Sequence, residues 1–315
     1  MILAVMFIGG RRTSACQPVC ESRPFLLPQP VAEIIVAKRP KCPRCVILLE
    51  NGEIRERVYL ECGGMLVDVS ARHWLLSLEP MVFGVWMDGA EPLPAMKPCK
   101  MYFYGKEGMA AKDLTVAIRL KCSGELQDGK GRLMLLTLTH AELFHMAPLK
   151  ARLIYWRYYR QPYKSYGEYK SLIAAFSFPR RVRLISFRDG DYYNIFPMDL
   201  IGAIDGERRM VFGLRHSNRS LAGMAATGRF AVADVSYDRR EAVYGLGRHH
   251  STAPPSIVQQ PFGIIHSREG QCYLPDWVEG YREMSVLATR NLGSHMLIWA
   301  AWEKEYSVNL SADHL

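Results

Sequence analysis

The run Arg215-His-Ser-Asn-Arg-Ser220 has the residue types of an anion-holding turn. It follows a strand-like stretch, RMVFGLR, and opens a small-residue stretch over 219–227 that reads as a helix. Ser217 or Asn218 can cap that helix. Backbone N–H groups and a partial positive charge at a helix start favour phosphate, and Arg215 and Arg219 add full charges. Ala222, Gly223, Ala225 and Ala226 let such a helix pack closely. The competing reading is an ordinary capped helix with solvated arginines.

Other chemistry-bearing groups are sparser. Cys42-Pro-Arg-Cys45 has the spacing of a zinc knuckle or a redox dithiol, but a closed zinc site needs four ligands and no second pair follows. A thioredoxin-type dithiol belongs at a helix start in a βαβ unit, whereas this pair precedes a β-rich run. No metal site is expected. Gly245-Leu-Gly-Arg-His-His250 is short of a dinucleotide fingerprint and lacks its parallel βαβ context. Gly-x-Ser-x-Gly, His-Glu-x-x-His and Walker patterns are absent, which counts against hydrolase and nucleoside triphosphatase chemistry. Tyrosines and Trp156 alternate with Arg and Lys over 154–170. Such interleaving can stack bases and hold phosphates, but helical spacing makes a buried aromatic face with snorkelling basic stems the better account. No nucleic-acid partner is expected.

These groups need positioning elements, and the elements read mainly as β. Hydrophobic content of 49% with 23% charged residues is that of a globular chain, which excludes global disorder. At 315 residues two domains are expected. Residues 1–25 read as a disordered leader. Residues 26–148 form a β-rich N-terminal domain of unassigned role, with strands such as RVYLECG, GMLVDVS, WLLSLE, MVFGVWM, KMYFYG, LTVAIRLKC and RLMLLTLT. Asn51-Gly52 and Asp128-Gly129 mark turns. Residues 149–179 are a helical connector broken around Pro162, 180–305 a second β domain, and 306–315 a tail. In that domain EAVYGLGR (241–248) is ambiguous between helix and strand.

The formal net charge of +9 favours an anionic partner, although a solvated basic surface also accounts for it. The 8 cysteines, in a chain this long, are read as free thiols of a reducing compartment. No apolar run reaches the ~20 residues needed to cross a bilayer. In MILAVMFIGGRR the arginines follow the apolar run, opposite to a secretory signal. A cytoplasmic protein with no membrane partner is expected.

Four pieces over 171–305, in order, resemble the flavin reductase family of the FMN-binding split barrel. They are Tyr192-Tyr-Asn-Ile-Phe-Pro-Met-Asp-Leu200, Met210-Val-Phe-Gly-Leu214, Asn218-Arg-Ser-Leu-Ala-Gly-Met-Ala-Ala-Thr-Gly-Arg-Phe-Ala-Val-Ala233 and Gly293-Ser-His-Met-Leu-Ile298. Within them Asn218 and Ser220 stand where the family has Ser and Thr. Ile195 stands for a Ser, Ala233 for Asn, and Ser294 for the Asp of a Gly-Asp-His loop. The resemblance implies a Greek-key antiparallel split β-barrel and a homodimer with flavin at the interface of two barrels. It implies FMN, or FAD, as cofactor and NAD(P)H as co-substrate. A loop at 192–200, through Tyr193, Asn194, Ile195, Phe196, Pro197 and Met198, would line the isoalloxazine. Arg215, His216, Ser217, Asn218 and Ser220 would hold the phosphate, and His295 would sit beside the ring or the nicotinamide. Hydride transfer to flavin N5 needs no acid–base dyad from the protein. The alternative is a non-catalytic flavin-binding or protein-interaction module.

Overall fold

The computed structural model describes residues 54–308 except 55, 90–97, 106–108, 129, 162–164, 205 and 270, with the backbone of residues 47–48 besides. The Cys42/Cys45 pair, the Asn51-Gly52 turn, the leader and the end of the tail lie outside the described residues.

The first half contributes β1 (Arg57–Cys62), β2 (Met65–Asp68), β3 (His73–Leu78), β4 (Met81–Asp88), β5 (Cys99–Tyr104), β6 (Leu114–Asp128) and β7 (Gly131–Leu143). Period-two alternation is clear in β1 and along much of β6, whereas β4 is buried on both faces. In β1, Val58, Leu60 and Cys62 point into the core while Arg57, Tyr59 and Glu61 stay partly in solvent. The sheet order is β2-β1-β5-β6-β7-β4-β3, and every pairing is antiparallel.

The connector folds as α1 (Pro148–Ile154), continues as a π-helical turn at Tyr155–Tyr159, and resumes as α2 (Tyr166–Ala175). Pro148 occupies the first turn of α1, where its missing N–H costs nothing. Ser165 caps α2 by accepting from Glu168 N at 3.0 Å. The aromatic run is a packing device: Tyr155 and Tyr169 are buried, and Tyr159 stacks on Tyr169 with ring centroids 5.1 Å apart.

The second half contributes β8 (Arg183–Asp189), β9 (Tyr192–Met198), β10 (Ile201–Ile204), β11 (Arg209–Arg215), α3 (Leu221–Thr227), β12 (Arg229–Asp234), α4 (Arg240–Leu246), β13 (Gly280–Asn291) and β14 (His295–Ser307). The ambiguous 241–248 stretch is therefore helical. Its apolar Val243 and Leu246 are three apart and both buried, the spacing of one helix face. The sheet order is β9-β8-β12-β13-β14-β11-β10, again antiparallel throughout. Each strand of this sheet occupies the place of the strand seven numbers earlier in the first. The chain is thus mainly β and contains one topology twice.

The two halves share a core. One buried cluster runs from Val58, Met101 and Ile118 of the first half to Phe196, Phe212 and Ile298 of the second. A second cluster joins Leu76, Trp86, Leu133 and Leu135 to Ile204, Val211, Leu297 and Trp299. Close backbone approach makes the seam tight. A Cβ on Gly213 would lie 1.9 Å from the carbonyl oxygen of Leu76, and one on Gly202 would lie 2.2 Å from the Trp74 ring. Cys62 and Cys99 face each other across β1 and β5, Cα–Cα 4.6 Å, and are joined as a disulfide. This corrects the expectation of free thiols for these two, while Cys122 and Cys272 are free. Spacing along the chain gave no hint that strand pairing would bring these two together. Among the described residues, no helix is long and apolar enough to cross a membrane.

Candidate functional site

Three segments far apart in sequence meet at the end of β11. Arg215 pairs across the sheet with His295, the first residue of β14. His216 N donates to Ser294 O at 3.3 Å, and the His216 ring contacts Asn291 Oδ1 at 3.3 Å. Asn194 of β9 donates from Nδ2 to Ser220 Oγ at 3.0 Å and to His249 O at 2.9 Å. The expected site residues of β9, the 215–220 turn and the 293–295 loop are therefore neighbours.

Their side chains divide into two groups. Asn194, Asn218, Ser220 and His295 are buried, at 0%, 3%, 0% and 1% exposure. Asn218 Oδ1 accepts from Ser220 N at 2.8 Å, and Ser220 Oγ also meets Tyr192 Oη at 3.2 Å. These groups brace the turn from within. The N-cap of α3 is Ser220, whose hydroxyl makes no capping bond, so neither Ser217 nor Asn218 has the expected capping role. His216, Ser217 and Arg219 face solvent, and Arg215 is half-buried. The outward face of the turn keeps the basic character read from sequence.

The stretch at 192–200 differs from expectation. Its first seven residues are a regular strand, β9, paired along its length with β8. Tyr193 and Ile195 enter one buried cluster, Phe196 and Met198 another, and Pro197 is buried opposite Leu184. The outer edge of β9 is covered by the chain's own 249–260 segment. His249 Nδ1 contacts Ile195 O at 3.1 Å, the Tyr193 hydroxyl donates to Pro255 O, and Gln260 Nε2 donates to Tyr193 Oη at 2.8 Å. That edge of β9 is thus engaged by the chain itself. The segment was missed because a polar, proline-rich stretch carries no periodicity that shows where it returns.

The first half reaches into this cluster. Ser77 Oγ of β3 donates to Leu292 O at 3.3 Å and lies 3.5 Å from His295 Nδ1. Ser294 Oγ accepts from Glu79 N at 2.9 Å and lies 2.8 Å from His295 Nδ1. Burial pushes the His295 imidazole down to about 3, with Arg215, His250 and His216 adding to the effect. Burial and then Arg215 push His250 down to about 4, while Asp199 opposes them. Both rings are neutral near pH 7, and a base with so low a pKa is a poor general acid or base there. Arg215, the strongest charge acting on His295, is positive, the opposite of the carboxylate that orients a Ser–His catalytic pair.

Between the halves lies a cavity of about 320 Å³, within the usual range for small-molecule sites. Trp74, Phe83, Phe103 and Phe178 give it aromatic walls, and Ile201, Gly202 and Met210 line the second-half side. Four arginines, Arg57, Arg180, Arg181 and Arg183, line it against two carboxylates, Glu56 and Asp199. Asp199 pairs with Arg180 at 2.9 Å, and Arg183 pairs with Asp234 outside the lining. His73 lines it too. Its Nδ1 lies 2.7 Å from Val69 O, and burial pushes the ring down to about 4. A neutral ring that donates from Nδ1 keeps Nε2 as an acceptor. None of the site residues expected from sequence lines this cavity, although Asp199 directly follows Met198. Among the described residues, no group of three or more His, Cys, Asp or Glu could hold a metal ion.

No protein-family model matches the chain, and no curated protein does. Solved structures resemble parts of it. An FMN-binding protein from Thermus thermophilus, with bound p-hydroxybenzaldehyde, is 12% identical over 40% of this chain and 70% of its own, at TM-score 0.35. A flavoredoxin from Methanosarcina acetivorans is 12% identical over 41% of this chain and 68% of its own, at TM-score 0.35. An NADH:FAD oxidoreductase from Streptomyces globisporus is 13% identical over 41% and 76%, at TM-score 0.36.

Proposed function

We propose that the chain is a flavin-binding protein of the flavin reductase kind, and that the ligand occupies the cavity between the halves. The observation that carries this reading is the cavity itself: aromatic walls, four arginines in the lining and a volume of about 320 Å³. Aromatic walls suit an isoalloxazine ring, and arginines suit a phosphate. The ordered motifs over 171–305 point to the same ligand class. FMN fits this chemistry in the cavity. It does not fit against β9, where residues 249–260 already lie.

In this reading the arginines of the lining face the anionic group, Trp74 and Phe178 flank the ring, and His73 Nε2 accepts from a ring N–H. FMN, when bound, supplies hydride chemistry with NAD(P)H as the donor. The protein binds, orients and excludes water. A holding role without turnover is favoured by one feature. His295, the one catalytic candidate, is 1% exposed and fixed between Ser77 and Ser294, so it does not reach a ligand in the cavity.

Titration of FMN into the purified protein, followed by flavin fluorescence, tests the reading. Arg57→Ala and Arg181→Ala should each weaken binding about tenfold, the loss of one charge-assisted contact. Arg219→Ala on the solvent-facing turn should leave it unchanged. Absence of FMN binding, or loss with Arg219→Ala alone, overturns the cavity assignment. Stoichiometric FMN without NAD(P)H oxidation selects the holding role.

A further inference from the structure

The two halves meet reciprocally. The turn between β13 and β14 of the second half sits on the turn between β3 and β4 of the first, where Ser294 N donates to Glu79 O at 2.7 Å. The equivalent turn of the first half, between β6 and β7, sits on the turn between β10 and β11 of the second. There Lys130 pairs with Glu207 at 3.0 Å and Asp128 with Arg209. The seam core repeats the same positions. Leu76 and Ile204 are the fourth residues of β3 and β10. Leu135 and Trp299 are the fifth residues of β7 and β14. This is the pattern of a two-fold, isologous interface, made here within one chain.

The cavity lies across that pseudo-two-fold. Arg57 and Arg183 are the first residues of the equivalent strands β1 and β8, and both line it. Trp74 and Gly202 are the second residues of β3 and β10; both line the cavity, and the Trp74 ring packs directly against Gly202. A wall built from equivalent strands on either side of one axis forms once per pair of halves. The Trp74 ring fills the space where Gly202 has no side chain. Two copies of the first half, paired the same way, would set Trp74 against Trp74. Two copies of the second would set glycine against glycine and leave a void.

We propose that residues 57–143 are a built-in partner barrel, so that one chain is the complete two-barrel unit, works as a monomer, and has a single ligand place to which the first half contributes one wall. The single ligand place rests on the cavity being the binding site. The self-contained pair rests on the seam alone. A second copy is not needed, because the surface that would receive it is occupied by the chain's own other half.

Sedimentation of the full chain with and without FMN, combined with seam variants, tests this. The expected result is the mass of one chain across the concentration range, with one FMN bound per chain. Gly202→Leu should collide with Trp74, lower Tm by about 5 °C and weaken FMN at least tenfold. Adding Trp74→Ala should restore most of the Tm. Gly202→Ala provides a milder form should the leucine variant not fold. A two-chain mass at all concentrations, two FMN per chain, or a Gly202→Leu Tm equal to wild type overturns the proposal. A monomer that shows the Gly202/Trp74 coupling but binds no FMN leaves the built-in barrel standing and removes flavin as its ligand.

Discussion

Three buried histidines should make the fold sensitive to mild acid. His73, His250 and His295 are 6%, 5% and 1% exposed. Burial is the largest cause holding each below the ordinary imidazole value of 6.5, at about 4, about 4 and about 3. Lowering the pH from about 7 to about 5.5 protonates these rings in the unfolded chain but not in the folded one. The unfolded state then binds more protons, so stability falls as pH falls. The loss begins near the unfolded value of 6.5 and continues down to the folded values. Each ring contributes roughly 1.2 kcal/mol over this interval, and the three together roughly 3–4 kcal/mol. Most carboxylates stay ionised above about pH 5.5, which isolates the effect. Urea unfolding at the two pH values measures it. His73→Phe, in a pocket formed with Phe103 and Phe178, should remove about one third of the pH-dependent change. Equal stability at both pH values, or an unchanged slope in the variant, refutes the reasoning.

Two further outcomes follow from single contacts. Gly213→Ala should cost about 3 kcal/mol or more, because a Cβ there lies 1.9 Å from backbone that cannot yield as a side-chain tip can; thermal unfolding reads this directly. Reducing the Cys62–Cys99 disulfide, or replacing both residues with Ser, frees a crosslink spanning 37 residues. The loss should be roughly 3–4 kcal/mol by the chain-entropy model, visible as a lower urea midpoint under dithiothreitol.

The strands were legible where short apolar or aromatic runs are bounded by turn and charged residues. RMVFGLR and HMLIWAAWEKE lie within β11 and β14, because a short apolar run buried on both faces is a local property of the chain. The four-residue β10, Ile-Gly-Ala-Ile, was not read. It is short, contains a glycine, and becomes a strand by pairing with β11. The meeting of the 192–198, 215–220 and 293–295 segments is what the family resemblance implied. What faces them was not. Ser77 lies 218 residues from His295, and nothing local in β3 marks it as a neighbour. The duplication was hidden for a related reason. Strand order is not written in residue types, and equivalent positions hold unlike residues, Trp74 against Gly202 and Leu135 against Trp299.

The shared core also sets an order of events during synthesis. Chains emerge and fold from the N-terminal end, so residues 57–143 are complete while β10, β11 and β14 are still to be made. Until then Leu76, Leu133, Leu135 and Trp86, all 4% exposed or less in the finished protein, lack the second-half side chains that cover them. The nascent first half therefore carries an apolar patch on a ready-made β surface, the kind that recruits chaperones or sticks to its neighbours. Closing the seam requires contacts more than 200 residues apart, and such long-range pairing is slow. The yield of folded protein should therefore depend less on how stable either sheet is than on how quickly the second one arrives.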